Sequence, residues 1–210
     1  MTLLRVDASI QGDMSASSAL ADTVLAELTA ARPGTSVVSR HLAQDPLPAD
    51  AWAQATTAGF VGEAERTPEQ RAALDLAGAL ADEVRAADAL LLALPLYNYG
   101  VSQHAKTWID LVTTGAGAGV PVLEGKPTVL VTTRGGSYGE GSPRAGWDHN
   151  TDYLRRILED LWRADLTVVE REFTLVGVNP ALDEFTDVAA VMAKQAEQDA
   201  VAAGRALAAL

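Results

Sequence analysis

Three short stretches of this chain concentrate residues whose types suit binding better than packing. The first, Ser9-Ile10-Gln11-Gly12-Asp13-Met14-Ser15-Ala16-Ser17-Ser18, sets hydroxyls at the start of a helical pattern. Hydroxyls beside the free N–H groups of a helix amino terminus form an anion site. No glycine loop ending in Lys-Ser/Thr occurs, and no Gly-x-Gly-x-x-Gly, so neither a nucleoside triphosphate loop nor a dinucleotide fingerprint is indicated. What the stretch suits is a phosphate monoester held without a cation, although a serine N-cap beside a polar loop explains the same residues. The second, Pro95-Leu96-Tyr97-Asn98-Tyr99-Gly100-Val101-Ser102, brackets an amide with two phenols, all of which need polar partners when buried. Such a segment suits the flat edge of an aromatic ligand; a solvent loop is the alternative. The third, Thr132-Thr133-Arg134-Gly135-Gly136-Ser137-Tyr138-Gly139-Glu140-Gly141, carries adjacent glycines that admit close backbone approach. Their N–H groups can converge where a ring gains negative charge, and a flexible turn is the alternative.

The elements around these stretches decide whether they can meet. Thr2–Asp7 reads as a buried strand and Ser15–Ala31 as a helix, with Leu20, Val24, Leu25 and Leu28 on one face. Arg32-Pro33-Gly34 ends it, and Thr35–Leu42 is rich in β-branched residues. An irregular stretch begins at Asp45-Pro46-Leu47-Pro48 and runs to about residue 65, with a short helix near Trp52. Thr67-Pro68-Glu69-Gln70 is a capping-box start for a helix reaching Ala86. Asp88–Leu94 is a near-continuous apolar run, as in a strand covered on both faces. Helices follow at Ser102–Thr113, Thr151–Arg163 and Glu184–Leu210, with strands at Thr128–Thr132 and Leu166–Val169. This alternation specifies one α/β domain over residues 1–210: a doubly wound, five-stranded parallel sheet with helices on both faces. The alanine-rich terminal helix is expected to cover a sheet face. In such a sheet ligands bind beyond the carboxyl ends of the strands where strand order reverses, and the three stretches follow strands one, three and four.

Composition narrows the functions. Apolar residues make up 48% of the 210, enough for a layered core, while aromatics are only 5%. Sixteen basic residues against 28 acidic leave a net charge of -12, which opposes nucleic-acid binding through phosphate neutralisation. No apolar run approaches the roughly 18–20 residues of a membrane span. No leader pattern opens the chain, and a cytoplasmic setting is expected. With no cysteine there is no disulfide, thiolate metal site or cysteine nucleophile.

At the three stretches the sequence resembles the FMN-dependent NADH-azoreductases, also described as NAD(P)H:quinone oxidoreductases, a flavodoxin-like family. The likeness follows nearly the whole chain in order and spacing. Its most specific part is Pro95-Leu96-Tyr97-Asn98-Tyr99-Gly100-Val101 with Lys106, Trp108, Ile109 and Asp110 following, where Leu96 and Tyr99 replace the family's Met and Phe. The resemblance implies strand order 2-1-3-4-5 and non-covalent FMN. Ser9 and Ser15-Ala16-Ser17 would hold its phosphate, Leu96, Tyr97, Asn98 and Tyr99 the ribityl chain and ring, and Thr133, Arg134, Gly135 and Gly136 the pyrimidine side. It implies NADH or NADPH as donor, a quinone or azo acceptor, a homodimer, and two hydride half-reactions through flavin N5. No side chain need act as acid or nucleophile, because the cofactor carries the chemistry.

The chain departs from the family in two places. Gly115–Gly119 and Val120-Pro121-Val122-Leu123 lead at once to Gly125-Lys126, where the family has a longer aromatic loop. The helix after the glycine stretch offers Arg155, Arg156, Glu159 and Asp160 in place of Phe and Gly. Trp147 and His149 either fill part of that gap or pack and cap a loop. The rival readings are an FMN-binding carrier or accessory protein with little turnover, and a biosynthetic flavoenzyme acting on a polycyclic quinone. A serine hydrolase at Ser137 lacks a nucleophile elbow and a persuasive base among His41, His104 and His149. No His-Glu-x-x-His or paired histidine suggests a metal.

Overall fold

A computed structural model describes residues 1–210. The long strands are β1 (Thr2–Asp7), β2 (Ser36–His41), β3 (Ala89–Ala93), β6 (Pro127–Thr133) and β7 (Asp165–Arg171), while β4 (Leu96–Tyr97) and β5 (Gly100–Val101) form a small hairpin. The main sheet is wholly parallel in the order β2-β1-β3-β6-β7. Leaving the hairpin out of the count, this is the expected 2-1-3-4-5. Every residue of β3 is buried. Its side chains alternate between two cores, Leu90 and Leu92 facing one and Ala89, Leu91 and Ala93 the other.

Helices α1 (Ala16–Ala31) and α6 (Thr186–Ala208) cover the second core. The terminal helix thus packs on the sheet through Ala196, Ala200, Ala203 and Leu207. Its alanines allow a close approach: a Cβ on Gly204 would stand 2.5 Å from the Val24 carbonyl of α1. The opposite face carries α2 (Ala51–Ala58), α3 (Pro68–Ala86), α4 (Gln103–Ala116) and α5 (Thr151–Arg155). The Thr67–Gln70 capping box forms as the sequence predicts. No helix is long and apolar enough to cross a membrane.

The helix expected over Thr151–Arg163 is corrected. After Arg155 it widens into a π-helix over Arg156–Leu161. Trp162 N–H reaches back to the Ile157 carbonyl and Ala164 N–H to that of Leu158. Leu154, Leu158 and Trp162 all enter the core, where Trp162 meets Trp108 edge-on at 5.7 Å.

Candidate functional site

The sheet order places β3 between β1 and β6, so the loops leaving β1 and β6 stand about 10 Å apart, two strand spacings. The β3 loop crosses between them. One cleft of about 290 Å³ is lined by residues of all three, including Ser9, Ser15, Ala16, Ser17, Leu96, Tyr97, Asn98, Thr133, Gly135 and Gly136. Ten of the twelve residues singled out in the sequence therefore share one surface.

On the β1 side, the Ser15 hydroxyl caps α1 by accepting from Ser18 N–H at 3.1 Å and lies 3.1 Å from the Ser17 hydroxyl. Both serines are buried. Ala16 and Ser17 N–H have no partner in the protein, as expected of a first helical turn. The Tyr97 phenol closes this loop onto the next, standing 3.2 Å from the Ser9 hydroxyl and accepting from Ile10 N–H.

The middle loop is a two-residue hairpin turn between paired Tyr97 and Gly100. Asn98 (φ 47°) and Tyr99 (φ 68°) are both left-handed, as a mirror-image turn requires. Asparagine tolerates this conformation and tyrosine does not, so Tyr99 is strained. Edge-on contacts with Trp147 at 5.4 Å and Tyr138 at 6.2 Å, and His149 N–H donated to its carbonyl, hold it there. Trp147 and His149 thereby pack and pin the hairpin; neither lines the cleft.

On the β6 side, the chain beyond β7 folds back through the left-handed Phe173 (φ 56°). Phe173, Thr174 and Leu175 N–H groups then donate to the Gly136, Arg134 and Gly135 carbonyls. The glycine carbonyls are thus occupied, while Gly135 and Gly136 N–H have no protein partner. Leu175 lies so close that a Cβ on Gly135 would stand 2.6 Å from its Cδ1. Glu172 ties the next turn, accepting from the Ser137 hydroxyl and Tyr138 N–H, both at 2.8 Å. Ser137 is therefore bound to a carboxylate rather than to a histidine base, which removes the hydrolase reading.

Two expected residues stand elsewhere. Tyr99 lies in the aromatic cluster just described. Arg134 is turned under the loop, where its guanidinium donates to Asp148, Glu170 and the Thr151 hydroxyl. Burial alone would lower the Arg134 pKa, but the carboxylates of Glu170 and Asp148 outweigh it and raise it. For Asp148 burial pushes upward, and it too is outweighed: hydrogen bonds from Thr151 and the charge of Arg134 hold the carboxyl below its ordinary value. Asn150, wholly buried, links this network to the sheet by donating to the Leu94 carbonyl and the Thr132 hydroxyl.

Gln11, Pro95 and Tyr138, quoted in the three stretches without a role, also line the cleft, and sequence reasoning missed Arg144, Thr174 and Leu175. Thr174 and Leu175 follow the edge strand, which the strand-order rule does not single out. For Arg144 the only signal is a cation in a glycine-rich turn.

These features suit a phosphorylated ring. Unpaired N–H groups and hydroxyls stand on one side, unpaired glycine N–H groups on the other, and Leu96, Tyr97 and Leu175 supply apolar surface between. A larger cleft of about 460 Å³ beside α1 is less suitable, because Asp7, Asp13 and Asp22 wall it and its two arginines are already paired, Arg5 with Asp7 and Asp22 and Arg40 with Glu83.

Comparison with known proteins agrees with this geometry. A family model described as flavodoxin-like fold matches residues 1–200. An FMN-dependent NADH:quinone oxidoreductase of Frankia alni is 42% identical over 89% of this chain and 90% of its own. Another so named, from a Parafrankia species, is 36% identical over 94% of this chain and 96% of its own. A solved azoreductase superposes with a TM-score of 0.79 over the full length of both chains at 23% identity, a likeness of fold. Sequence likeness, strand order and the cleft at its switch point agree, and the chain belongs to the flavodoxin-like fold family, among the FMN-dependent NADH:quinone oxidoreductases.

Proposed function

We propose that this protein binds FMN in the rim cleft and uses it to carry electrons from NADH to quinones and azo compounds. The observation that carries the reading is the convergence of three loops on one cleft with unpaired N–H groups at both sides. The names borne by relatives at 36–42% identity support the same activity. Bound FMN would supply two-electron hydride transfer from NADH to the acceptor, completed there by one solvent proton, which no side chain here offers.

The chain's own residues then bind and orient. Ala16 and Ser17 N–H with the Ser9, Ser15 and Ser17 hydroxyls hold the phosphate, Leu96, Tyr97 and Asn98 border the ribityl chain and ring, and Thr133, Gly135 and Gly136 meet the pyrimidine side. A homodimer and a cytoplasmic setting supplied with NADH belong to the same proposal. Exposed Ile10, Met14 and Phe60 give a second copy apolar surface to cover.

The test is an anaerobic spectrum. FMN mixed with the protein should remain bound through desalting, bleach on addition of NADH and regain its colour when a quinone is added. Flavin that binds but does not bleach with NADH or NADPH would overturn the enzyme reading in favour of a carrier.

A further inference from the structure

Arg144 carries the only charge among the sixteen residues lining the cleft. Its Nη1 lies 3.1 Å from where a Cβ on Gly136 would stand, and its guanidinium sits 5.9 Å from the Tyr138 ring centroid. It takes part in none of the chain's ion pairs, although acidic residues outnumber basic ones 28 to 16. An unpaired cation beside the glycine backbone and over a tyrosine ring is placed to meet an anion in the cleft. Because Gly136 leaves β6 and the serine loop leaves β1, this cation stands on the side away from the phosphate donors.

We propose that Arg144 compensates the negative charge that reduction places on the pyrimidine side of the flavin ring, and so raises the midpoint potential of the bound cofactor. The inference rests on the FMN reading above and deepens it. A hydride brings two electrons and one proton to a neutral oxidised ring, leaving one net negative charge until the acceptor removes the hydride equivalent and a solvent proton completes the product. Arg144 neither gives nor takes that proton, since a guanidinium stays protonated throughout. Its attraction for the new charge grows when a bound ring excludes water from the cleft, because the local dielectric falls. The unpaired Gly135 and Gly136 N–H groups act at the same edge and in the same direction.

The experiment compares the FMN-loaded wild type with Arg144→Met and Arg144→Lys. Midpoint potentials are measured by anaerobic equilibration with a reference dye, and affinity for oxidised FMN by fluorescence titration. The expected result is that Arg144→Met binds oxidised FMN within a factor of about three of wild type while the ratio of its reduced to oxidised dissociation constants rises at least tenfold, a fall of about 30 mV or more for a two-electron couple. Arg144→Lys should recover most of that difference. An unchanged potential with a raised KM for NADH would overturn the proposal and assign the cation to the donor's phosphates instead. A wild-type protein that takes up no FMN would remove the flavin reading and this one together, whereas FMN uptake with equal potentials removes this one alone.

Discussion

Two arginines ten residues apart in one loop have opposite surroundings. At the root, where β6 ends, the Arg134 side chain is 8% exposed and engaged by Asp148, Glu170 and Thr151. At the tip, Arg144 is exposed, without a carboxylate partner, and borders the cleft. The family resemblance assigned the first to the site, as part of Thr133-Arg134-Gly135-Gly136. The structure makes Arg134 the support that fixes those glycines and leaves Arg144 as the charge available to a ligand. Proximity in sequence to a binding backbone therefore does not bring a side chain to the ligand. The backbone course decides: just past β6, Arg134 N–H donates to the Arg171 carbonyl and its side chain reaches Asp148, Glu170 and Thr151 instead of the cleft.

If the comparison holds, the largest effect on stability comes from the root. Replacing Arg134 by Met leaves the partly buried Asp148 carboxylate with no cation, and should cost about 3 kcal/mol, the lower end of breaking a buried pair from one side. Urea denaturation reads this directly, and a loss under about 1 kcal/mol would break the contrast, being the size of an exposed pair.

A smaller effect follows from acid. Asp148 has its pKa lowered by folding, so its contribution is complete above the ordinary carboxylate range and disappears as pH falls through the depressed folded value. Arg134 stays charged throughout. The wild type should lose stability toward low pH more steeply than Asp148→Asn, which starts weaker at neutral pH; equal slopes in urea melts across that range would show that Asp148 does not matter.

The smallest effect belongs to the tip. Arg144→Met should change stability by less than about 0.5 kcal/mol, as expected of an exposed side chain with no structural partner. A larger loss would blur the contrast and make Arg144 a second support.

Much of the architecture was legible. The all-buried run at Ala89–Ala93, the capping box at Thr67 and the strand–helix alternation each carry a local signature that tertiary packing did not override. The hairpin at Leu96–Val101 was not, because two-residue strands have no periodicity and Tyr99 is a poor residue for φ 68°. Nor was the π-helix, since Leu154, Leu158 and Trp162 fall at four-residue spacing that an ordinary helix also satisfies. Within the site, glycines and serines were found because backbone chemistry follows residue type. Leu175 and Arg144 were not, since they reach the cleft through the reversal at Phe173 and an irregular turn that no pattern encodes.

The central claim is that one cleft binds a ring through its middle and a phosphate at its β1 side. Parallel fluorescence titrations with FMN and riboflavin test it most directly, because the two ligands differ only in that phosphate. The account predicts one FMN per chain with a dissociation constant near or below about 1 μM. Riboflavin should bind at least about tenfold more weakly, since it forgoes charge-assisted bonds worth about 1.5–3 kcal/mol each. Equal binding of the two, or no saturation by FMN, would contradict it.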